Sequence, residues 1–169
     1  IAGTAGALLD GTAAGSADIM SHIFEGYFSR TPDSDLSDGI AETILKSVMK
    51  NCKIALKDPT NYSARANLMA NSSVACSGIP EYGKQETGWP CHAMEHELSA
   101  YYDITHGVGL AILTVRWMRH ILNKDASATE RFVKFAKNVM GLSGDDERAL
   151  AFAGIDALEN YFKETGIPM

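Results

Sequence analysis

Three of the five histidines, His92, His96 and His106, fall within fifteen consecutive residues of the stretch WPCHAMEHELSAYYDITHGVG, beside Glu95, Glu97 and Asp103. Imidazoles next to carboxylates are the makings of a metal site or an acid–base site. A fourth histidine, His22, stands four residues after Asp18 in SADIMSHIFEG. Residues four apart on a helix share a face one turn apart, so Asp18 with His22, and His92 with His96, can each offer two donors to one ion. One carboxylate with three imidazoles is a donor set of intermediate hardness. It suits Fe(II) or Zn(II), unlike the oxygen cages of calcium or the thiolates of structural zinc. Spacing alone leaves open which three histidines bind, and an isolated Asp-x-x-x-His is common by chance.

Helices must position these donors. From Asp10 to Ser29 small and apolar residues recur at helical spacing, with Ile19, Ile23 and Tyr27 on one side, until Arg30-Thr31-Pro32-Asp33 ends the helix. A second helix, capped by Asp35 or Ser37, carries Ile40, Ile44 and Val48 with Leu45, Met49, Cys52 and Leu56, and closes at Asp58-Pro59. A third runs from Asn61 to Cys76; its alanines and serines let neighbouring helices approach closely, and Ser77-Gly78-Ile79-Pro80 stops it. Glu81 to Trp89 has no periodicity and reads as a loop leading into the histidines.

The next helix covers Pro90 to Tyr102, with proline in the first turn, where its missing N–H costs little. After a break at Asp103-Ile104-Thr105, the most apolar segment, His106 to Leu122, is the expected central element. Amphipathic helices over Ser127 to Met140 and Asp145 to Thr165 complete the chain, with Gly166 as the stop. Nothing reads as a strand, and no glycine-rich phosphate loop is present. The expected fold class is all-α, one helical bundle over residues 1–169.

A chain of 169 residues can bury one sizeable core, and 46% hydrophobic with 21% charged residues is a globular composition. No apolar run approaches the roughly 20 residues of a membrane span. IAGTAGALL lacks the basic flank and cleavage site of a signal peptide. A formal net charge of -6 with scattered lysines and arginines argues against nucleic acid as a partner. Three cysteines in unpatterned positions fit reduced thiols in a cytoplasm. A start at Ile1 and a stop just after a helix, at Gly166-Ile167-Pro168-Met169, lead us to expect a piece of a longer protein, truncated at its C-terminal end as well.

The motif from Asp18 to His22, together with CHAMEHELSAYYDITHGVGLA, resembles the iron-containing alcohol dehydrogenase family, especially its butanol-dehydrogenase-like branch. GTAAGSADIMSHIFEGYFS, ALKDPTNYSARANLM and HGVGLAIL followed by RWM match that branch in order. Val115 and Asn71 depart from it, standing where proline and tryptophan are common. The family holds its metal with an Asp and a His one turn apart and two histidines fourteen positions apart. The resemblance therefore implies Asp18, His22, His92 and His106 as ligands and leaves His96 outside them; one turn after His92, it is the candidate catalytic residue beside the substrate, or else a histidine that supports a ligand or packs.

The resemblance further implies a metal-binding helical domain similar to the C-terminal domain of the dehydroquinate synthase-like fold. The NAD(P)-binding α/β domain that precedes it in the family is absent from this chain. Implied with it are Fe(II), with Zn(II) as the alternative ion, NAD(P) in the full-length protein, a small alcohol or aldehyde as substrate, and a homo-oligomer when full length. The fragment alone is expected to be inactive. A stand-alone helical metal-binding module and a metallohydrolase-like enzyme are the competing classes.

Around the ligands, Asp103 or Glu95 is positioned to orient an imidazole through its free N–H. Cys91 reads as a buried thiol and His120 as an exposed residue near a helix end. Trp89 and Trp117 flank the approach to the site or pack in the core. Met20, Met49, Met69, Met94, Met118 and Met140 read as core filling.

Overall fold

The computed structural model describes the backbone of residues 2–85 and 88–169, and side chains within that range from Gly11 onward. Among the described residues the order is α1 (Ala2–Tyr27), α2 (Asp35–Lys57), α3 (Tyr62–Ala75), α4 (Cys91–Tyr102), α5 (His106–Lys124), α6 (Thr129–Asn138) and α7 (Glu147–Glu164), with 3₁₀ turns at Ile79–Glu81 and Ala126–Ala128. No strand occurs among them, so the all-α expectation holds. α1 packs against α2, α3 and α5; α5 also packs on α4 and α7, and α6 lies against α7.

Periodicity explains which faces are buried. α5 buries Gly107, Leu110, Ala111, Thr114, Val115, Met118 and Leu122, a stripe three to four residues apart that runs its full length and makes it the central helix. α1 turns Ala13, Ala17, Met20, Phe24 and Tyr27 toward α5 and the rest of the core. Phe24, Phe28, Phe132 and Phe135 form an aromatic cluster with ring centroids 4.7–5.8 Å apart. Each such ring contributes roughly 1.5–3 kcal/mol of burial. Val115 is fully buried and keeps α5 unbroken, where a proline would remove a backbone donor. Asn71 donates a hydrogen bond to Ser47 Oγ at 2.8 Å, tying α3 to α2.

Several local expectations change. α1 starts at Ala2, eight residues before the expected Asp10. The residue preceding α2 is Ser34, which makes no side-chain cap; Ser37 instead donates to the Tyr82 carbonyl at 2.7 Å. The segment expected to run as one helix from Ser127 begins as the 3₁₀ turn, and α6 starts at Thr129. α3 is mostly exposed, and the residues it buries, Ala64 and Ala75, are small, so close packing on its neighbours is confined to one face. Met69 on α3 is 74% exposed and not core filling, because it lies on the side of the helix turned away from α2. The expected loop from Glu81 begins inside the first 3₁₀ turn, and its residues 86 and 87 lie outside the described residues. Gly166, at φ +90, ends α7 as expected.

Cys52 and Cys91 are buried and Cys76 is exposed. Burial pushes the Cys91 thiol up to about 11, against a hydrogen bond with Thr114. Since the thiolate is the reacting form, a thiol reagent at about pH 8 is expected to modify only Cys76 in the native protein. Mass spectrometry before and after denaturation checks this: modification of Cys91 under native conditions contradicts the packing.

Candidate metal centre

Three helices bring the implied ligands together. Asp18 and His22 sit one turn apart on α1, His92 is in the first turn of α4, and His106 is the first residue of α5. The approach of α5 to α1 depends on Gly107: a Cβ there would lie 1.9 Å from the Ala14 carbonyl oxygen. Only a glycine lets the two backbones come this close, and His106 is the adjoining residue.

The outcome is a convergence on one atom. Nε2 of His22, His92 and His106 lie 3.6, 3.5 and 3.7 Å from Asp18 Oδ1. These are too long for good hydrogen bonds. They are close to the separation of about 3.4 Å between neighbouring donors bonded tetrahedrally to one cation at about 2.1 Å. Asp18 Oδ1 and His92 Nε2 are both buried without a hydrogen-bond partner among the described residues. Buried polar atoms in that condition are costly, and a cation between them satisfies both. Asp18, His22 and His92 have donor atoms all within 4.8 Å of one another, and His106 reaches them through Asp18, so the donor set fits the implied ion.

Electrostatics follows the same arrangement. The His92 imidazole, then those of His22 and His106, hold the Asp18 carboxyl below its ordinary value against the opposing effect of burial. Asp18 and then Glu25 raise His92 to about 9, again against burial. Asp18, His22 and His106 keep about a third of their side-chain surface exposed, and His92 much less, so the site opens on one side.

His96 stands outside this quartet. It is exposed, and its ring centroid lies 5.2 Å from that of His106 and 6.4 Å from that of His92, at the rim. Its imidazole, His106 and Glu95 form a second group with donor atoms within 4.8 Å of one another, apart from the group of Asp18, His22 and His92. Of the two carboxylates offered for orienting an imidazole, Glu95 contacts His106 Nδ1, whereas Asp103 is exposed and caps α4 in the left-handed conformation at φ +54. Glu25 escaped the sequence reading: its Oε1 lies 2.6 Å from His92 Nδ1. The signal available was its position seven residues after Asp18, on the same face of α1.

Away from the quartet, His120 is exposed and stacks on Trp117 at 5.4 Å. Trp89 stacks on Phe28 at 5.1 Å. Both tryptophans line a cavity of about 500 Å³ together with Phe28, Ile121 and Phe132.

The comparisons with known proteins agree with this architecture. The sequence model of the Fe-containing alcohol dehydrogenase family, C-terminal, matches residues 12–169. NADH-dependent butanol dehydrogenase A of Clostridium acetobutylicum is 52% identical over 158 residues, which are 93% of this chain and 40% of that protein. The crystal structure of NADH-dependent butanol dehydrogenase A from Thermotoga maritima superposes with a TM-score of 0.87 at 38% identity, covering 95% of this chain and 39% of that one. The substrate- and cofactor-free aldehyde reductase YqhD from E. coli gives a TM-score of 0.88 at 28% identity, over 95% of this chain and 41% of that one. The chain thus spans about two fifths of the length of these relatives. From the family match over residues 12–169 and the shared helical architecture, the chain belongs to the Fe-containing alcohol dehydrogenase family, as a C-terminal helical region of the butanol-dehydrogenase-like branch.

Proposed function

We propose that this chain is the metal-binding domain of an NAD(P)-dependent alcohol dehydrogenase that interconverts small primary alcohols and aldehydes by hydride transfer. In the complete protein an NAD(P)-binding α/β domain would form the other wall of the cleft, and the helical domain alone lacks turnover. The observation that carries the reading is the convergence of three imidazole Nε2 atoms on Asp18 Oδ1. Support for NADH and for a butanol-sized substrate comes from the 52% identical relatives, both named NADH-dependent butanol dehydrogenases. No described helix is long and apolar enough to cross a membrane. We place the full-length protein in the cytoplasm as a homo-oligomer.

Asp18, His22, His92 and His106 would hold Fe(II), or Zn(II) as the alternative. A divalent cation bound there supplies Lewis acidity, polarising a carbonyl or lowering the pKa of an alcohol. The chain's own part is to bring charge and three lone pairs to one point while leaving one side open. His96, at the rim beside His106, exchanges the substrate's hydroxyl proton at its imidazole and orients the oxygen.

The test uses the complete gene product, loaded with Fe(II) or Zn(II) and assayed by NADH oxidation with butanal. A folded, cofactor-binding protein without metal-dependent turnover sinks the proposal. At residue level, His106→Ala is expected to lose bound metal, His120→Ala to keep it, and His96→Ala to keep metal but lose turnover. Equal metal content in the His106 and His120 variants contradicts the ligand assignment.

A further inference from the structure

Two carboxylates outside the ligand quartet touch it from behind. We propose that Glu25 and Glu95 are positioning residues for the metal centre, each holding the Nδ1–H of one histidine so that its Nε2 faces Asp18. The inference rests on the metal-centre reading above. Glu25 Oε1 lies 2.6 Å from His92 Nδ1, and Glu95 Oε2 contacts His106 Nδ1. A carboxylate accepts hydrogen bonds and does not donate them, so each Nδ1 must carry the proton, and in the neutral imidazole that binds a metal the lone pair is then on Nε2. Those two Nε2 atoms are the ones 3.5 and 3.7 Å from Asp18 Oδ1.

The supports cross between helices. Glu25 on α1 orients a histidine of α4, and Glu95 on α4 orients a histidine of α5. Glu95 is fully buried, a costly location for a carboxylate unless it is hydrogen-bonded. Its partners are His106 and the Ser99 hydroxyl, and Ser99 also reaches the Ile104 carbonyl at 2.9 Å, in the break before α5. Room for it exists because residue 109 is glycine: a Cβ there would lie 2.6 Å from Glu95 Oε1. His22 has no comparable support, since the nearer Glu25 oxygen is 3.9 Å from its Nδ1. Two of the three imidazoles are therefore held from outside, and the third stacks on the His92 ring at 4.4 Å.

The experiment measures Co(II) affinity by chelator competition, and the visible Co(II) spectrum, in the complete gene product. Losing such an outer carboxylate costs on the order of 10–100-fold in metal affinity. Glu25→Leu and Glu95→Gln are expected to fall in that range, with an altered Co(II) spectrum. Glu25→Gln keeps a neutral acceptor and is expected to lose less than Glu25→Leu. Glu97→Gln, which removes an exposed carboxylate of α4, sets the effect of charge alone. Glu25 is only partly buried, so its variants remain decisive if Glu95→Gln does not fold. Affinities and spectra for Glu25→Leu equal to those of Glu97→Gln overturn the positioning role while leaving the metal centre standing. Absence of Co(II) binding in the unsubstituted protein overturns the metal centre itself and the positioning role with it.

Discussion

Gly107→Ala is expected to lower metal affinity by about 100-fold and to destabilise the fold by roughly 1–3 kcal/mol, the usual cost of overpacking. The added methyl would sit 1.9 Å from the Ala14 carbonyl oxygen, 2.5 Å from its carbon and 2.9 Å from its Cα. All three are backbone atoms of α1, so no rotamer change relieves the clash. α5 must retreat by about 1 Å or more before an ordinary carbon–oxygen contact is restored. His106 adjoins the substituted residue and moves with it, away from Asp18. The intrinsic helix preference for alanine over glycine, about 1 kcal/mol, works in the opposite direction and is the smaller effect. Gly11→Ala on α1 isolates that preference, since nothing lies within 4 Å of a Cβ there. Thermal melts and metal titrations of the two variants should diverge in sign for stability, and unchanged metal affinity in Gly107→Ala contradicts the close approach.

Asp38→Ala is expected to cost about 3–5 kcal/mol, because it strands a buried cation. The Asp38 side chain is 3% exposed and accepts hydrogen bonds from Lys84 and Lys134 at 2.6 Å each, and from Arg131. Lys84 is 1% exposed and has its pKa pulled down by burial, so the missing carboxylate leaves an ammonium with little access to water. Burial alone would raise the Asp38 carboxyl, but hydrogen bonds from Lys134, Lys84 and Arg131 outweigh it and hold the group at about 2, below its ordinary 3.8. A carboxyl depressed in the folded state stabilises the fold above its unfolded pKa, and that stabilisation disappears as the pH falls from about 4 to about 2. A depression of this size is worth about 2.5 kcal/mol over the window. Urea unfolding at pH 7, 4, 3 and 2 (pH values spanning about that window) measures it, and Asp38→Asn should lack this component. A slope equal to that of the unsubstituted protein would falsify the assignment.

What the sequence reveals depends on whether the relevant contact is local. Helix faces, the stop at Pro32, the break before His106 and the turn-spaced pair Asp18 and His22 are all fixed by neighbours a few residues away, and spacing exposes them. Which of the three clustered histidines joins that pair is not a local matter; the family resemblance carried it, and the geometry brings His92 and His106 to Asp18 with His96 at the rim. Glu25 meets a histidine 67 residues away, so its spacing from Asp18 puts it on the site's side of α1 without naming His92 as its partner. Asp38 falls in register with Ala41, Leu45, Val48 and Cys52 on the buried stripe of α2. A charge in that register signals a buried ion pair, but its three partners come from Lys84 and α6, beyond the reach of periodicity. Met69 misleads for a related reason: methionine fits a core by type, yet it lies on the exposed face of α3, away from Ala64 and Ala75.

This exposure sets the behaviour of α3. Of its fourteen residues only Ala64 and Ala75 are buried, with Leu68, Asn71, Ser72 and Val74 partly so, and its side-chain hydrogen bond to α2 is Asn71–Ser47. Detaching it exposes little apolar surface, whereas detaching α5 would open the core along its whole length. The free energy of a local opening rises with the apolar surface it bares to water, so α3 is expected to open before the rest of the bundle. Its backbone amides will trade protons for deuterium through excursions in which the rest of the bundle, and the histidine quartet with it, stays closed.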